Sequence, residues 1–250
     1  MKNTVLVYNQ HENTLFDASC KKWNVSPAFL DEHRNTIFDK LYHYFEDLTQ
    51  QDHGKDEEVI LLLNAKNMLI TKPLTTLFEF YSEKLWERRG QPFIYAASAY
   101  TSTGDVYNNL ANMMGNNGDE HIIDDACIIT TKQVLIDITL SSLMKNALNL
   151  QDVVAQYLKQ SPETDLILDG NRRFLVWPRF RMDIGSRVNV SAAKQLVYGT
   201  YEPYIIHRYG DGNLMRLAYD LGYDVTKLSD SSLSKSFGNL VNYIKSKLPY

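Results

Sequence analysis

Cysteine is scarce: Cys20 and Cys127 are the two in 250 residues, too few for a disulfide framework or a cysteine-rich zinc site. No run approaches the roughly 20 consecutive apolar residues that span a bilayer. The opening Met-Lys-Asn-Thr-Val-Leu-Val-Tyr is polar within a few residues and lacks the apolar core of a secretion signal. The expected location is therefore the cytoplasm, either of the cell that encodes the chain or of a host cell infected by a virus that does. Positive charge is not in excess either. With 26 Lys and Arg against 30 Asp and Glu, the formal net charge is −4, which excludes a uniformly basic nucleic-acid coat. No internal repeat, low-complexity tract or clear linker divides the sequence, so a single domain over residues 1–250 is expected.

What is present is an ordinary globular composition, 44% hydrophobic and 22% charged, in a chain long enough to bury a large core. Its charge is uneven. Residues 1–70 carry 7 Lys and Arg against 11 Asp and Glu, a balance of −4, whereas residues 171–216 carry 8 against 3, a balance of +5. The basic stretch includes Arg172, Arg173, Arg179, Arg181 and Arg187 with Trp177 and Phe180 interleaved. That pattern suits a track for nucleic-acid phosphates with an aromatic platform for a base; the alternative is a solvated strand face.

Periodicity places strands at residues 5–8, 59–63, 92–97, 121–130, 166–168, 174–176 and 204–207. Helices are predicted over 14–23, 36–48 and 74–86, and over 132–159 with a break near 149–151. The five apolar residues at 59–63 suit a central strand covered on both faces. Asp124 and Asp125 are expected to interrupt the strand at 121–130. Residues 98–120, rich in Asn, Gly, Ser and Thr, read as a long loop with one short helix, and the last third of the chain suggests a final surface helix. Strands alternating with helices predict an α/β fold with a mostly parallel sheet flanked by helices. In such sheets ligands sit beyond the carboxyl ends of the strands. Tyr8 to His11, Asn64 to Asn67, Ala97, Ser98 and the Asp124–Asp125 pair are the candidates for that crevice.

Several of these segments, in order, resemble one family. Val-Ile-Leu-Leu-Leu-Asn-Ala-Lys-Asn-Met-Leu-Ile over 59–70 resembles the strand and Asp-x-x-Asp turn of the glycosyltransferase domain of lysyl hydroxylases and procollagen galactosyltransferases. Phe-Ile-Tyr-Ala-Ala-Ser over 93–98 is similar to that family's next strand. Residues 121–130, 149–152 and 165–169 resemble three later segments, and Glu-Pro-Tyr-Ile-Ile-His-Arg-Tyr-Gly over 202–210 resembles the closing Pro-x-x-Ile-His-Gly-Asn-Gly motif. The order and spacing fit from about residue 4 to residue 223.

This resemblance implies a GT-A-type fold, with a nucleotide-sugar-binding half over 1–130 and an acceptor half with the C-terminal helix over 131–250. It implies sugar transfer from a UDP-sugar, with a divalent metal, usually manganese, gripping the diphosphate. Carried over residue by residue, the donor would be bound around Tyr8, Asn9, Asn64, Lys66, Ala97, Ser98, Arg208 and Gly210. The metal would be held by Asn67 and His207, and the catalytic carboxylates would come from Asp124, Asp125 and Asp152.

Two departures matter. Asn64 and Asn67 stand where the family has aspartates, so two unit charges are missing from the ligand set and manganese affinity falls. Arg208 and Tyr209 replace Gly and Asn in the closing motif, which reshapes the phosphate pocket while offering a bidentate cation. Compensation is available from Asp124 or Asp125 as ligands, or from Lys66, Arg172 and Arg173 as direct phosphate partners. Each residue also has a plainer reading: Asn64 and Asn67 as a strand-ending turn, His207 as a core histidine, Asp124–Asp125 as a turn, and Asp152 as an acceptor base or a helix cap. The expected activity is a glycosyltransferase acting on a cytosolic acceptor hydroxyl, with a hydroxymethylated DNA base as one candidate. The alternative is a non-catalytic binding module on the same fold.

Overall fold

The computed structural model describes residues 2–8, 14–51, 58–65, 68–100, 121–143, 150–169, 173–176, 188–207 and 211–223. They form two compact units that interleave in sequence. The first comprises residues 1–10, 26–64 and 75–170, and the second 11–25, 65–74 and 171–250. Residues 131–170, assigned above to the acceptor half, thus belong with the first unit.

The first unit is built on a six-stranded sheet of order β2-β1-β3-β6-β5-β7. Its strands are β1 (Lys2–Tyr8), β2 (Ala28–Phe29), β3 (Glu58–Asn64), β5 (Phe93–Tyr100), β6 (His121–Thr131) and β7 (Asp165–Leu168). β1 runs parallel to β2 and β3, and β5 parallel to β7. β6 is antiparallel to both neighbours, β3 and β5. The mostly parallel α/β sheet read from the sequence is therefore present, with one reversed strand.

Helices cover it as the apolar patterns dictate. α2 (Ile37–Gln51), α4 (Lys132–Leu143) and α5 (Leu150–Gln160) contribute Phe38, Leu41 and Phe45, then Val134, Leu135 and Ile138, then Val153, Val154 and Tyr157. These meet Leu6, Ile60, Leu62, Ile94, Ala96 and Ile128 in one core cluster. Because side chains alternate across a strand, Val59, Leu61, Leu63 and Phe93 point to the opposite face. On that side Tyr81 of α3 (Thr75–Glu87) stacks on Phe93 at 4.3 Å between ring centroids and donates its hydroxyl to the Phe93 carbonyl at 2.7 Å. Every residue of β3 is buried, which explains its unbroken apolar run. The helix boundaries have local causes. Thr36 Oγ1 accepts the Asp39 N–H at 3.1 Å, an N-cap that fixes the start of α2.

The second unit packs α1 (Thr14–Trp23) and α6 (Asp211–Asp220) with a three-stranded sheet of order β4-β11-β8 and a β9/β10 hairpin. The strands are β4 (Met68–Ile70), β8 (Phe174–Val176), β9 (Val188–Val190), β10 (Leu196–Tyr198) and β11 (Ile205–His207). Leu15, Leu69, Ile206, Leu214, Met215, Leu217 and Tyr223 share its core. α1 ends at Trp23 because Asn24 takes φ 53° and the Val25 N–H reaches back to the Cys20 carbonyl at 2.8 Å. The Trp23 indole N–H is shared between the Ile70 carbonyl at 3.1 Å and the Tyr223 hydroxyl at 2.8 Å. Lys22 Nζ donates to the Leu221 carbonyl at 2.8 Å and lies 4.1 Å from the Tyr223 ring centroid.

Four expectations need correction. β5 continues through Ser98 to Tyr100, where the sequence suggested that a loop begins; its ladder with β6 carries it on, pairing Ser98, Ala99 and Tyr100 with Ile123, Ile122 and His121. β6 is one continuous strand through Asp124 and Asp125. Strands β2 and β4, the β9/β10 hairpin and helix α6 fall outside the ranges predicted from periodicity. Helix α5 begins at Leu150, so Asp152 lies inside its first turn and is not its cap. Residues 101–120 of the expected loop, and residues 224–250 of the last third, lie outside the described residues.

Candidate functional site at the carboxyl rim of the central sheet

β1 has β2 on one side and β3 on the other, so the order of the sheet reverses between β1 and β3. In open α/β sheets that reversal opens a crevice just beyond the carboxyl ends of the two strands. The last residues of these strands are Tyr8 and Asn64, and they are register partners across the ladder. Tyr8 is 5% exposed and Asn64 6%. Both side chains project to the same face as Leu6 and Leu62, and the Tyr8 ring belongs to the core cluster. A buried carboxamide is a donor and an acceptor in one group, and it follows the five apolar residues Val59–Leu63 at the exit of β3.

Further along the rim, β5 and β6 slip out of simple register. Ala96 pairs with Ile128, and Ser98 pairs with Ile123. One residue of β5, Ala97, therefore stands opposite the four β6 residues 124–127. The surplus, which includes Asp124 and Asp125, forms a bulge, and bulges bend strands and re-aim side chains beside binding sites. On the other side β6 stays in register with β3 as far as the Leu63–Cys127 pair, so the bulge begins where β3 ends. The reversed direction of β6 is what brings Asp124 and Asp125 to the carboxyl rim. In a parallel β6 these early residues would lie towards the amino end of the neighbouring strands.

The rim ends at Asp169, the residue after β7, whose N–H bonds the Ala96 carbonyl at 3.0 Å. Asp169 is 3% exposed, and its Oδ1 accepts the Tyr95 hydroxyl at 2.5 Å. In the sequence it closes the 165–169 segment and opens a turn. Like Asn64, it is a polar residue directly after a run of apolar ones.

One rim of the first unit thus gathers Tyr8, Asn64, Ala97, Ser98 and the backbone of Asp124 and Asp125. Asp152 belongs to the same unit but to the first turn of α5. His207 belongs to the second unit. It is 1% exposed, at the end of β11, paired with Met68 of β4 on one side and Val176 of β8 on the other. Met68 directly follows Asn67 in the chain. Arg173 is also in the second unit, where its carbonyl accepts the Tyr204 N–H at 2.7 Å. Asn9, Lys66, Asn67, Arg172, Trp177, Arg179, Arg181, Arg208 and Gly210 lie outside the described residues.

Among the described residues no group of three or more His, Cys, Asp or Glu side chains is placed to hold a metal ion. Asn64, at the end of β3, is neutral, and no step below is routed through a metal ion. Among the described residues no helix is long and apolar enough to cross a membrane.

The fold is α/β, with a mostly parallel central sheet whose order reverses between β1 and β3. No protein-family model matches the chain, and no curated protein matches it.

Proposed function

We propose that this chain is a nucleotide-sugar glycosyltransferase that seats its nucleotide at the β1/β3 reversal. The observation that carries the reading is the Tyr8–Asn64 pair at the carboxyl ends of those two strands. It is supported by the resemblance of the 59–70 and 93–98 segments to the glycosyltransferase domain of lysyl hydroxylases. In this reading Asn64 recognises a neutral hydrogen-bonding edge of the nucleotide, using the donor and acceptor of its carboxamide. The rim at Ala97 and Ser98 borders the diphosphate and sugar.

Cleavage of the sugar–phosphate bond builds negative charge on the departing diphosphate, and stabilising that charge is the main catalytic demand. Asn64 adds no charge of its own to meet that demand. The acceptor hydroxyl attacks the anomeric carbon and yields its proton to a carboxylate, for which Asp124 and Asp125 are the proposed candidates. We further propose, from the balance of +5 over residues 171–216, that the acceptor is polyanionic; a hydroxymethylated base in DNA has both the hydroxyl and the charge.

Release of UDP from UDP-glucose or UDP-galactose, followed with and without hydroxymethylated DNA, tests the reading. UDP release that falls in Asn64→Ala and in an Asp124→Asn/Asp125→Asn variant is the expected result. Absence of UDP binding by calorimetry overturns the reading. UDP binding without any transfer or hydrolysis favours instead a non-catalytic module, which the carboxamide in place of a carboxylate at position 64 also suits.

A further inference from the structure

Within the second unit, two lysines from different elements meet at one short stretch of backbone. Lys22 stands near the end of α1. Lys194 lies in the tight turn between β9 and β10, where it takes φ 57° and its N–H bonds the Ser191 carbonyl at 2.9 Å. Lys22 Nζ donates to the Leu221 carbonyl at 2.8 Å and sits over the Tyr223 ring, 4.1 Å from its centroid. Between those two contacts is Gly222, at φ 80°. A Cβ there would meet Lys194 Cδ at 3.0 Å and Nζ at 3.1 Å, so the Lys194 side chain lies against the same backbone that holds Lys22. Both lysines are exposed. Partial burial and, after it, the charge of Lys194 hold the Lys22 ammonium below its ordinary pKa.

The carbonyl end of α6 accounts for one of these cations and not for both. An ammonium just past a helix C-terminus takes up an orphan carbonyl and complements the dipole, and Lys22 does this. A second ammonium beside it adds like-charge repulsion. Among the described residues no ion pair joins either lysine to a carboxylate. The pair therefore suits an anion from outside the chain. An ammonium has three N–H donors, and Lys22 commits one to Leu221. Each lysine can still donate to one of the two non-bridging oxygens of a phosphodiester. Lys194 also belongs to the stretch 171–216 that carries the balance of +5. We propose that Lys22 and Lys194 form a phosphodiester-binding pair that holds the backbone of the polyanionic acceptor, DNA. This rests on the polyanionic-acceptor reading, and the experiment separates the two.

Fluorescence anisotropy of the full chain with a short DNA duplex bearing hydroxymethylcytosine, repeated over a series of salt concentrations, is the test. Wild-type affinity should fall as salt rises, because phosphate contacts release counterions. Lys22→Gln and Lys194→Gln should each weaken binding about threefold at fixed salt, the scale of an exposed ion pair. The double Gln variant should lower the slope of log affinity against log salt by about one. A double Lys→Arg variant keeps the charge and should keep the slope. A purely structural role would lower the melting temperature of Lys22→Gln and leave DNA affinity and slope unmoved. Should Lys22→Gln fail to fold, Lys194→Gln, a change in an exposed turn, still decides. Wild-type affinity and slope in the folded Gln variants overturn the pair and leave the acceptor reading standing. Equal losses in the Gln and Arg variants trace the effect to the lysine stems and also overturn it. A wild type that binds no DNA overturns the polyanionic acceptor and this pair with it.

Discussion

Asn64→Asp restores the charge that the crevice lacks, and its cost follows from burial. The new carboxylate would stand at a position 6% exposed, paired across the ladder with buried Tyr8. Desolvation disfavours the charged form, so the folded-state pKa rises above the unfolded value of about 3.9. A rise of roughly two units, modest for a buried carboxyl, corresponds to about 2.7 kcal/mol at neutral pH. Below about pH 4 the carboxyl is neutral in both states and the penalty vanishes; it grows with pH and levels off above the folded-state pKa of roughly 6. For a chain of this size the variant should melt about 5–10 °C below wild type at pH 7, and the two should converge near pH 4. Circular-dichroism melts at the two pH values measure this. Adding manganese extends the test. An Asn64→Asp/Asn67→Asp variant should recover about 2.7 kcal/mol at a metal concentration 100 times its dissociation constant, while wild type melts at the same temperature with and without the ion. Equal melting of Asn64→Asp and wild type at pH 7 without metal would refute the idea that position 64 is desolvated. A large manganese shift in wild type would refute the neutral character of the site.

Two further outcomes concern the second unit. Burial, with a smaller contribution from Asp17, pushes the Cys20 thiol up from 9.0 to about 12, so the native protein should resist alkylation of Cys20 by iodoacetamide at pH 8 and react only after denaturation, as mass spectrometry of the labelled peptide would show. Because the thiolate forms more readily in the unfolded chain, this group's linkage should also lower stability as pH rises between about 9 and 12, visible as a falling urea midpoint. Tyr223→Phe removes the hydroxyl that accepts from Trp23 and donates to the Ile70 carbonyl. The Trp23 N–H keeps its bond to Ile70, so the loss should be about 1 kcal/mol, or roughly 2–4 °C in melting temperature.

The elements most legible in the sequence are those whose burial is two-sided or whose ends are capped. β3 announces itself because both its faces are covered. α1 ends where predicted because Asn24 tolerates the left-handed backbone, and the predicted start of α2 is within one residue because Thr36 caps it. The second unit was far less legible. Its segments come from three separate stretches of chain, and strands as short as Met68–Ile70 owe their existence to partners distant in sequence. His207 is the partner of Met68, and no local pattern around either residue encodes that pairing.

Strand direction is the property that local sequence conveys least, and here it decides which chemistry reaches the rim. Apolar periodicity fixes that residues 121–131 form a strand and which side chains share a face, but it is the same read forwards or backwards. A β6 parallel to β3 would put Thr130 and Thr131 beside Asn64, and Asp124 and Asp125 away from it, at odds with the crevice expected from the sequence. The observed pairs Val59–Thr131 and Leu63–Cys127 do the opposite: both threonines lie at the amino end of β3, and the aspartates follow on from its carboxyl end. The physical marker of the reversal is the bulge, since the surplus residues between Ile123 and Ile128 are accommodated where the strand enters the sheet. A deletion of Asp124 and Asp125 together should therefore shorten the bulge without moving the ladder from Cys127 to Thr131. It would spare the fold while removing both rim carboxylates, whereas deleting two residues inside the ladder, such as Ile128 and Ile129, strips two buried side chains from the centre of the sheet and should unfold the first unit. Proteolysis of the two deletion variants tells these outcomes apart, and equal sensitivity in both would show that the bulge is part of the folding core and not an accommodation at its rim.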